Sequence, residues 1–358
     1  MMEKPALGVE NDKATESISI IRHLLNDDEF KNKYRTEPRF FTRLSKLGFA
    51  IVILVILQKS VKPYQLMLSE FFKKLGNGVL VTDSAFCQAR HKLQPQAYIE
   101  LNQKSVIDVM YANSDHKTFW GFRILDIDGS KVQLPKSSWQ EFFTLNINNG
   151  KGVIYKYGYG LASVMYDFLN KVIIDSIIAP AKAYEVDLSI GHLKYTADGD
   201  MILGDRNYSS YRHLATLTKW NREFTIRCSR SSFTAVREMF EQDIVTSRIV
   251  TLKPQPDVKK PIQAEGFPEQ IKVRFVSVRL DTGELEVLVT SLLDEQKYPT
   301  EGFKELYHLR WGVEGFYGLI KERLNGDKLY WKNCPFCETR FLCHHIYNWF
   351  RVYINPKC

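Results

Sequence analysis

The sequence predicts an α/β fold, in which a mixed β-sheet follows a helical N-terminal domain. A strand pattern over 120–134 is followed by two further strand patterns, over 155–165 and 170–179, with a polar turn between them. Helical spacing over 185–193 then leads to a short apolar strand over 201–203, which ends close to an acidic residue. Three antiparallel strands, a helix and a strand with an acid at its C-terminal end are the elements that a ribonuclease-H-like core requires.

The N-terminal third of the chain is predicted to be helical. Residues 1–28 are polar and aperiodic, which predicts a mobile leader with one short helix over 16–25. Residues 29–115 are predicted to form a helical domain. Within it, Thr82 is expected to cap a helix on which Arg90 faces outward.

The charge balance indicates a polyanionic partner. Lys and Arg number 49 against 41 Asp and Glu, so the net charge is +8, which suits nucleic acid or, alternatively, a membrane surface. Basic and aromatic residues are mixed over 30–46, as expected where cations meet phosphates, although a solvated helix face has the same composition. The apolar run 47–57 is too short to span a bilayer, so we expect a buried helix and a cytoplasmic protein.

Acidic residues mark two strands of the predicted sheet. Asp126 and Asp128 are two residues apart and therefore share one face of a strand, and Asp205 follows the apolar segment 201–204. Reactive groups in open α/β sheets gather outside the C-terminal ends of strands, where we expect these carboxylates. The alternative for the first pair is that they cap a turn at Gly129.

A third group of polar residues has helical spacing near the end of the chain. The intervals of three, four and seven residues place a phenol, two cations and one carboxylate on the same helix face. The alternative is a solvated amphipathic helix with pairs of opposite charge. The four residues are Tyr307, Arg310, Glu314 and Lys321.

This spacing, Tyr-x2-Arg-x3-Glu-x6-Lys, resembles the YREK signature of the DDE transposases of the insertion-sequence-four group. The resemblance extends over 86–327. The segments Asp128-Gly129-Ser130 and Asp205-Arg206-Asn207-Tyr208 resemble the other two catalytic motifs of that family, in the same order.

The resemblance implies three catalytic acids and a metal site. It selects Asp128 rather than Asp126, which stays the reserve candidate, together with Asp205 and Glu314. Oxygen ligands favour Mg²⁺ or Mn²⁺, and two such ions would activate the attacking oxygen and stabilise the leaving oxygen. Asp128 is expected to bridge both ions, while Asp205 and Glu314 each complete one coordination shell.

The same resemblance implies contacts with DNA. Arg310 suits a bidentate contact with a phosphate, and Lys321 suits a point-charge contact. Tyr307 suits a hydrogen bond to the phosphate backbone. Trp311 is a candidate for stacking on a base, with packing in the core as the alternative.

The implied function is cut-and-paste transposition of a bacterial insertion sequence. The enzyme would nick the element ends, and the freed 3′-hydroxyls would attack target DNA. The expected partners are double-stranded DNA, at terminal inverted repeats and target sites, and a second subunit of a homodimer. The protein is expected to associate with the nucleoid and not with a membrane. A DNA-binding remnant without catalysis is one alternative. A two-carboxylate glycosidase is another, but it would leave Arg310 and Lys321 unexplained.

The predicted catalytic core spans 116–328, with 223–293 as a β-rich insertion and 29–115 as the domain that binds DNA ends.

The tail over 329–358 is atypical of the family and holds four of the six cysteines. One interpretation is a zinc site. The other is a frameshift, because reading the codons for 328–347 one nucleotide out of register permits NFIGKTALSVKQDFYATIF, which resembles the missing family block. The candidate zinc ligands are Cys334 and Cys337 with Cys343, His344 or His345.

Overall fold

The computed structural model describes residues 7–58, 64–76, 80–134, 144–148, 154–255 and 264–310. The chain divides into two compact units. Residues up to 116 and those of 132–160 belong to the first, and residues 117–131 and 161–310 belong to the second. Within the described ranges, no helix combines the length and the apolar content that crossing a bilayer requires.

The first unit is mainly helical, as predicted. Its core contains fully buried residues from four helices, among them Val52, Leu68, Phe86 and Tyr98. The predicted buried helix at 47–57 is confirmed as α3. The helices are α1 (Leu7–Asn26), α2 (Asp28–Tyr34), α3 (Phe49–Leu57), α4 (Tyr64–Lys74), α5 (Asp83–Arg90), α6 (Gln96–Asn102) and α7 (Asp108–Tyr111), with a π-helical turn, Gln103–Ile107, between the last two.

Two expectations for this unit are wrong. The segment predicted to be an aperiodic leader is the 20-residue helix α1. Its apolar residues Ala14, Ile21 and Leu24 recur at helical spacing and are buried, which stabilises a helix longer than the predicted 16–25. Arg90, expected to face outward, is 4% exposed because α5 packs against both α3 and α4.

The second unit is built on a mixed sheet. Across the sheet, the strand order is β4-β3-β1-β5-β6-β9-β8-β7. β2 pairs with the first residues of β3, and both of these segments belong to the first unit. β1, β5 and β6 are parallel neighbours, and the pairs from β6 to β7 are antiparallel. The first five strands have the order of a ribonuclease-H-like core, which confirms the predicted fold class. The strands are β1 (Arg123–Leu134), β2 (Thr144–Asn148), β3 (Ile154–Asp167), β4 (Val172–Pro180), β5 (Asp200–Gly204), β6 (Glu223–Cys228), β7 (Ser247–Leu252), β8 (Ile271–Arg279) and β9 (Leu285–Thr290).

The predicted β-rich insertion begins later than residue 223. β6 pairs in parallel with β5, and its residues Phe224 and Ile226 are fully buried, so this strand belongs to the core. The inserted strands β7, β8 and β9 extend the same sheet from β6, and the insertion also contains the helix α10 (Thr234–Gln242). The remaining helices of the unit are α8 (Glu185–His192), α9 (Tyr211–Lys219) and α11 (Gly302–His308).

Helix α8, predicted at 185–193, is held in place by buried hydrogen bonds. On one side, Nδ1 of His192 lies 2.7 Å from the Asp175 carboxylate of β4. On the other, the Ser189 hydroxyl lies 2.9 Å from Nε2 of His213, whose Nδ1 is 2.9 Å from the carbonyl oxygen of Tyr208. Burial lowers the pKa of His213 to about 4, so its ring is neutral at pH 7 and accepts from Ser189 while donating to Tyr208. These bonds connect α8 to β4 and to the turn that follows β5.

Candidate active site

The pairing of β1 with β5 brings the first two predicted acids together. Ile127 is the register partner of Gly204, so the next residues along, Asp128 and Asp205, lie side by side. Asp205 follows the last residue of β5 and begins a tight turn, in which its Oδ1 accepts a hydrogen bond of 2.8 Å from the main-chain N–H of Asn207. The sequence indicated that Asp128 lies at the end of its strand. Because β1 continues to Leu134, Asp128 instead lies within the strand.

Asp128 lies in a half-buried position where several charges converge. The main-chain N–H of Gly129 donates to its Oδ1 at 2.9 Å. Burial and the neighbouring carboxylates of Asp205 and Glu185 together raise the pKa of Asp128 to about 6, although the Gly129 N–H and the Arg310 guanidinium counteract the rise. Three carboxylates and one guanidinium therefore act on the same edge of the sheet.

Asp126, the reserve candidate, lies deeper than Asp128. It shares the face of Asp128 on β1, is the register partner of Leu203, and is 1% exposed. Burial raises the pKa of the Tyr307 hydroxyl, and the negative charge of Asp126 contributes to the rise, which places both groups in the same buried region. Of the two acids on β1, Asp128 is the one nearer to solvent.

Tyr307 and Arg310 lie at the same edge as the acids. The Tyr307 side chain is 2% exposed, and its hydroxyl donates to the carbonyl oxygen of Gly204, the residue before Asp205, at 3.3 Å. Arg310 is 6% exposed and lies 5.8 Å from the Tyr307 ring centroid. Burial raises the pKa of the nearby Glu286 carboxyl, and the charges of Arg227 and Arg310 counteract that rise. Both side chains are thus engaged within the protein.

Several predicted functional residues lie outside the described ranges. The predicted helix over 307–321 is described only as far as residue 310, and α11 ends at His308. Among the residues that the structure does describe, no three His, Cys, Asp or Glu side chains are arranged as ligands of one metal ion. The undescribed candidates are Trp311, Glu314, Lys321 and the possible zinc ligands of the tail.

Glu185 is a site residue that the sequence prediction missed. It begins α8, is half-buried, and accepts a hydrogen bond of 3.2 Å from the side-chain amide of Asn207 on its Oε2. It also lies against Gly129, since a Cβ atom built on that glycine would be 3.0 Å from its Oε1. The only sequence signal is an acid in the first turn of a predicted helix, which is a common way to stabilise a helix N-terminus.

A second set of residues resembles a hydrolase triad but is buried. The Ser163 hydroxyl lies 3.0 Å from Nε2 of His192, whose Nδ1 contacts Asp175. None of the three side chains is more than 5% exposed, so no substrate reaches the hydroxyl. These residues are a structural link between β3, β4 and α8.

Removing the Tyr307 hydroxyl tests what that group contacts. We expect Tyr307→Phe to lower the free energy of unfolding by about 1 kcal/mol, because one buried hydrogen bond to Gly204 is lost. Affinity for DNA, measured by fluorescence anisotropy, is expected to stay unchanged, since the hydroxyl is buried. A loss of DNA affinity without any loss of stability would instead support the phosphate contact that the sequence indicated.

Comparisons with known proteins agree with the resemblance found in the sequence. The family described as "Transposase DDE domain" matches residues 119–349. The transposase InsG for insertion sequence element IS4 of Escherichia coli (strain K12) is 23% identical over 261 residues, which is 71% of this chain and 56% of that protein. Among solved structures, the piggyBac transposase synaptic complex with hairpin DNA aligns with a TM-score of 0.46 and 12% identity, covering 97% of this chain and 72% of that one.

Proposed function

Because the chain belongs to the transposase DDE domain family, we propose that it is the transposase of a bacterial insertion sequence. It cuts DNA at the ends of the element and joins the freed 3′-hydroxyls to target DNA in cut-and-paste transposition. The observation that carries the proposal is the pairing of β1 with β5, through which Asp128 lies beside Asp205. The chain spans 56% of the length of its curated relative, so the complete reaction is a proposal for this chain.

Transposases of this family generally use divalent metal ions, and the donor set fits them. The carboxylates of Asp128 and Asp205 are hard oxygen ligands, which Mg²⁺ and Mn²⁺ prefer. Repulsion from Asp205 contributes to the raised pKa of Asp128, and a bound cation would relieve that repulsion. Asp128, Asp205 and Glu314 are the residues that would hold the ions, and Asp128 would be the ligand common to both. When bound, the ions supply charge stabilisation for the attacking and leaving oxygens.

Cationic and aromatic residues near these acids are proposed to hold the DNA. Arg310 interacts electrostatically with Asp128, which supports a role in contacting the phosphate that is cut. Lys321 is proposed to contact a neighbouring phosphate, and Trp311 to stack on a base. The buried hydroxyl of Tyr307 favours a different role from the phosphate contact, namely support of the main chain just before the second acid.

The proposed partners follow from the chemistry. The substrate is double-stranded DNA carrying the terminal inverted repeats, and then target DNA, in keeping with the net charge of +8. Two subunits of a homodimer would each act on one element end. Binding to chromosomal DNA would keep the protein associated with the nucleoid.

The atypical tail supports an alternative function. If residues 329–358 are the product of a frameshift, the chain is a catalytically impaired remnant that binds element ends as a repressor. The predicted acids Asp128, Asp205 and Glu314 all precede the tail, so such a remnant would keep its metal ligands while losing the last family block.

Cleavage of DNA that carries the element's own end tests both functions. The full chain is incubated with this fragment and Mg²⁺ or with chelator, beside a version in which one nucleotide restores the family block. Mg²⁺-dependent cleavage by the original chain supports the active transposase. Binding without cleavage, with activity only in the corrected version, supports the remnant. Absence of specific end binding by either version would contradict both.

A further inference from the structure

We propose that Glu185 is a positioning residue that fixes the Asp128 and Asp205 carboxylates relative to each other. This inference rests on the proposed function, because it assigns Glu185 to the same metal-dependent site. It adds a residue from α8, an element that carries none of the three acids implied by the family resemblance.

The first contact of Glu185 is with the residue after Asp128. A Cβ atom on Gly129 would lie 3.0, 3.1 and 3.3 Å from Oε1, Cδ and Cγ of Glu185, so the carboxylate end lies close to the glycine. Gly129 does not have a positive φ angle, and an alanine would suit its strand backbone. An alanine at this position would therefore require the Glu185 side chain to shift by a few tenths of an ångström, although the backbone would accept it.

The second contact of Glu185 is with the turn that holds Asp205. Oε2 of Glu185 accepts from the Asn207 side chain at 3.2 Å, while the main-chain N–H of Asn207 donates to Oδ1 of Asp205 at 2.8 Å. One carboxylate thus contacts the segments of both acids. A bridge of this kind restricts the distance between two metal ligands, which is how residues outside the coordination sphere orient those within it.

Helix α8 gives this bridge a rigid support. Ser189 connects the helix through His213 to the carbonyl oxygen of Tyr208, one residue after Asn207. His192, at the other end of the helix, is held by Asp175. Because these bonds are buried, they fix the helix from which Glu185 projects.

Binding of Mn²⁺ to the full chain, followed by the electron paramagnetic resonance signal of the free ion, tests the proposal without relying on activity. We expect Glu185→Ala to weaken binding about tenfold, as for other residues that orient metal ligands. Glu185→Gln is expected to recover most of the loss, since its amide oxygen still accepts from Asn207. The matched control is Asp187→Asn, which removes an exposed acid from the same first turn and should bind normally.

Each of the following outcomes overturns the proposal. Normal Mn²⁺ affinity in Glu185→Ala would show that the bridge is not needed. If Glu185→Gln binds Mn²⁺ as weakly as Glu185→Ala, the negative charge of Glu185 is what supports binding, and not the positioning of the two acids through its hydrogen bond. If Asp128→Asn itself binds Mn²⁺ normally, the proposed metal site is wrong, and with it the proposed function. Loss in Asp128→Asn with no loss in Glu185→Ala would overturn the Glu185 proposal alone.

A double-mutant cycle covers the case in which Glu185→Ala folds poorly. Gly129→Ala is expected to weaken Mn²⁺ binding, because its new methyl group displaces the Glu185 carboxylate. In a Glu185→Ala background the same change should have little further effect, since nothing remains to be displaced. Additive effects of the two changes on Mn²⁺ affinity would contradict the proposed contact.

Discussion

Asp128→Asn and Asp205→Asn are each expected to slow Mg²⁺-dependent cleavage of element-end DNA about 1,000-fold or more, equivalent to about 4 kcal/mol in the activation barrier. The two carboxylates come from adjacent parallel strands and lie side by side, so neither can replace the other as a ligand. Asn keeps the size of the side chain and an oxygen that accepts from Gly129, but removes the charge that holds a cation. The measurement is the single-turnover cleavage rate at saturating DNA.

Two controls separate catalysis from folding and binding. DNA affinity of both variants should remain close to that of the original chain, because the acids are not assigned to hold DNA. Asp187→Asn, on the exposed part of α8, should cleave at the normal rate. Full activity of Asp128→Asn combined with loss of activity in Asp126→Asn would transfer the catalytic role to the reserve acid and contradict the assignment.

The elements that carry the acids were predictable because each has a simple local pattern. The apolar runs of β1 and β5 end or break at acidic residues, and the turn between β3 and β4 is polar. The parallel pairing of β1 with β5 follows from the ribonuclease-H-like order, so the meeting of Asp128 with Asp205 was within reach of sequence reasoning. Its register was not, because register depends on packing across the whole sheet.

Helix α9 was missed because its buried face contains polar residues. His213 and Thr216 are at most 2% exposed and interrupt the apolar pattern of Leu214 and Leu217. Their burial is possible only because each finds a hydrogen-bond partner, His213 in Ser189 and Thr216 in the carbonyl oxygen of Arg212. A hydropathy pattern cannot reveal such partners, although Ser210 is a recognisable N-cap.

Glu185 could not be assigned from the sequence for a related reason. Its contacts, Gly129 and Asn207, lie far away along the chain in opposite directions, and they meet it only through the tertiary fold. An acid at the start of a helix has an ordinary explanation in the helix dipole, so nothing local distinguishes it from Asp187. The position of α8 relative to β1 and β5 decides which of these two acids reaches the site.

The raised pKa of Asp128 predicts that the metal-free protein is stabilised when this acid is neutralised. The pKa is about 6 in the folded protein against an ordinary value of 3.8, so the folded state binds the proton more tightly. Stability from this group is therefore fully present below about pH 4 and is lost as the pH rises through about 6. At pH 8, the free energy of unfolding of Asp128→Asn is expected to exceed that of the original chain by at most about 3 kcal/mol. Partial solvent exposure of the carboxylate makes the difference smaller than this.

Divalent metal should offset most or all of this difference. Mg²⁺ at about 100 times its Kd would add about 2.7 kcal/mol to the stability of the original chain, whereas Asp128→Asn should gain little. Urea unfolding of both proteins at pH 5 and pH 8, in chelator and in Mg²⁺, measures all four free energies. In chelator, the gap between the proteins at pH 5 should be about half of the gap at pH 8. If the original chain is instead the more stable protein at pH 8 in chelator, the surroundings of Asp128 do not destabilise its charged form. The electrostatic argument that this carboxylate binds a cation would then fail.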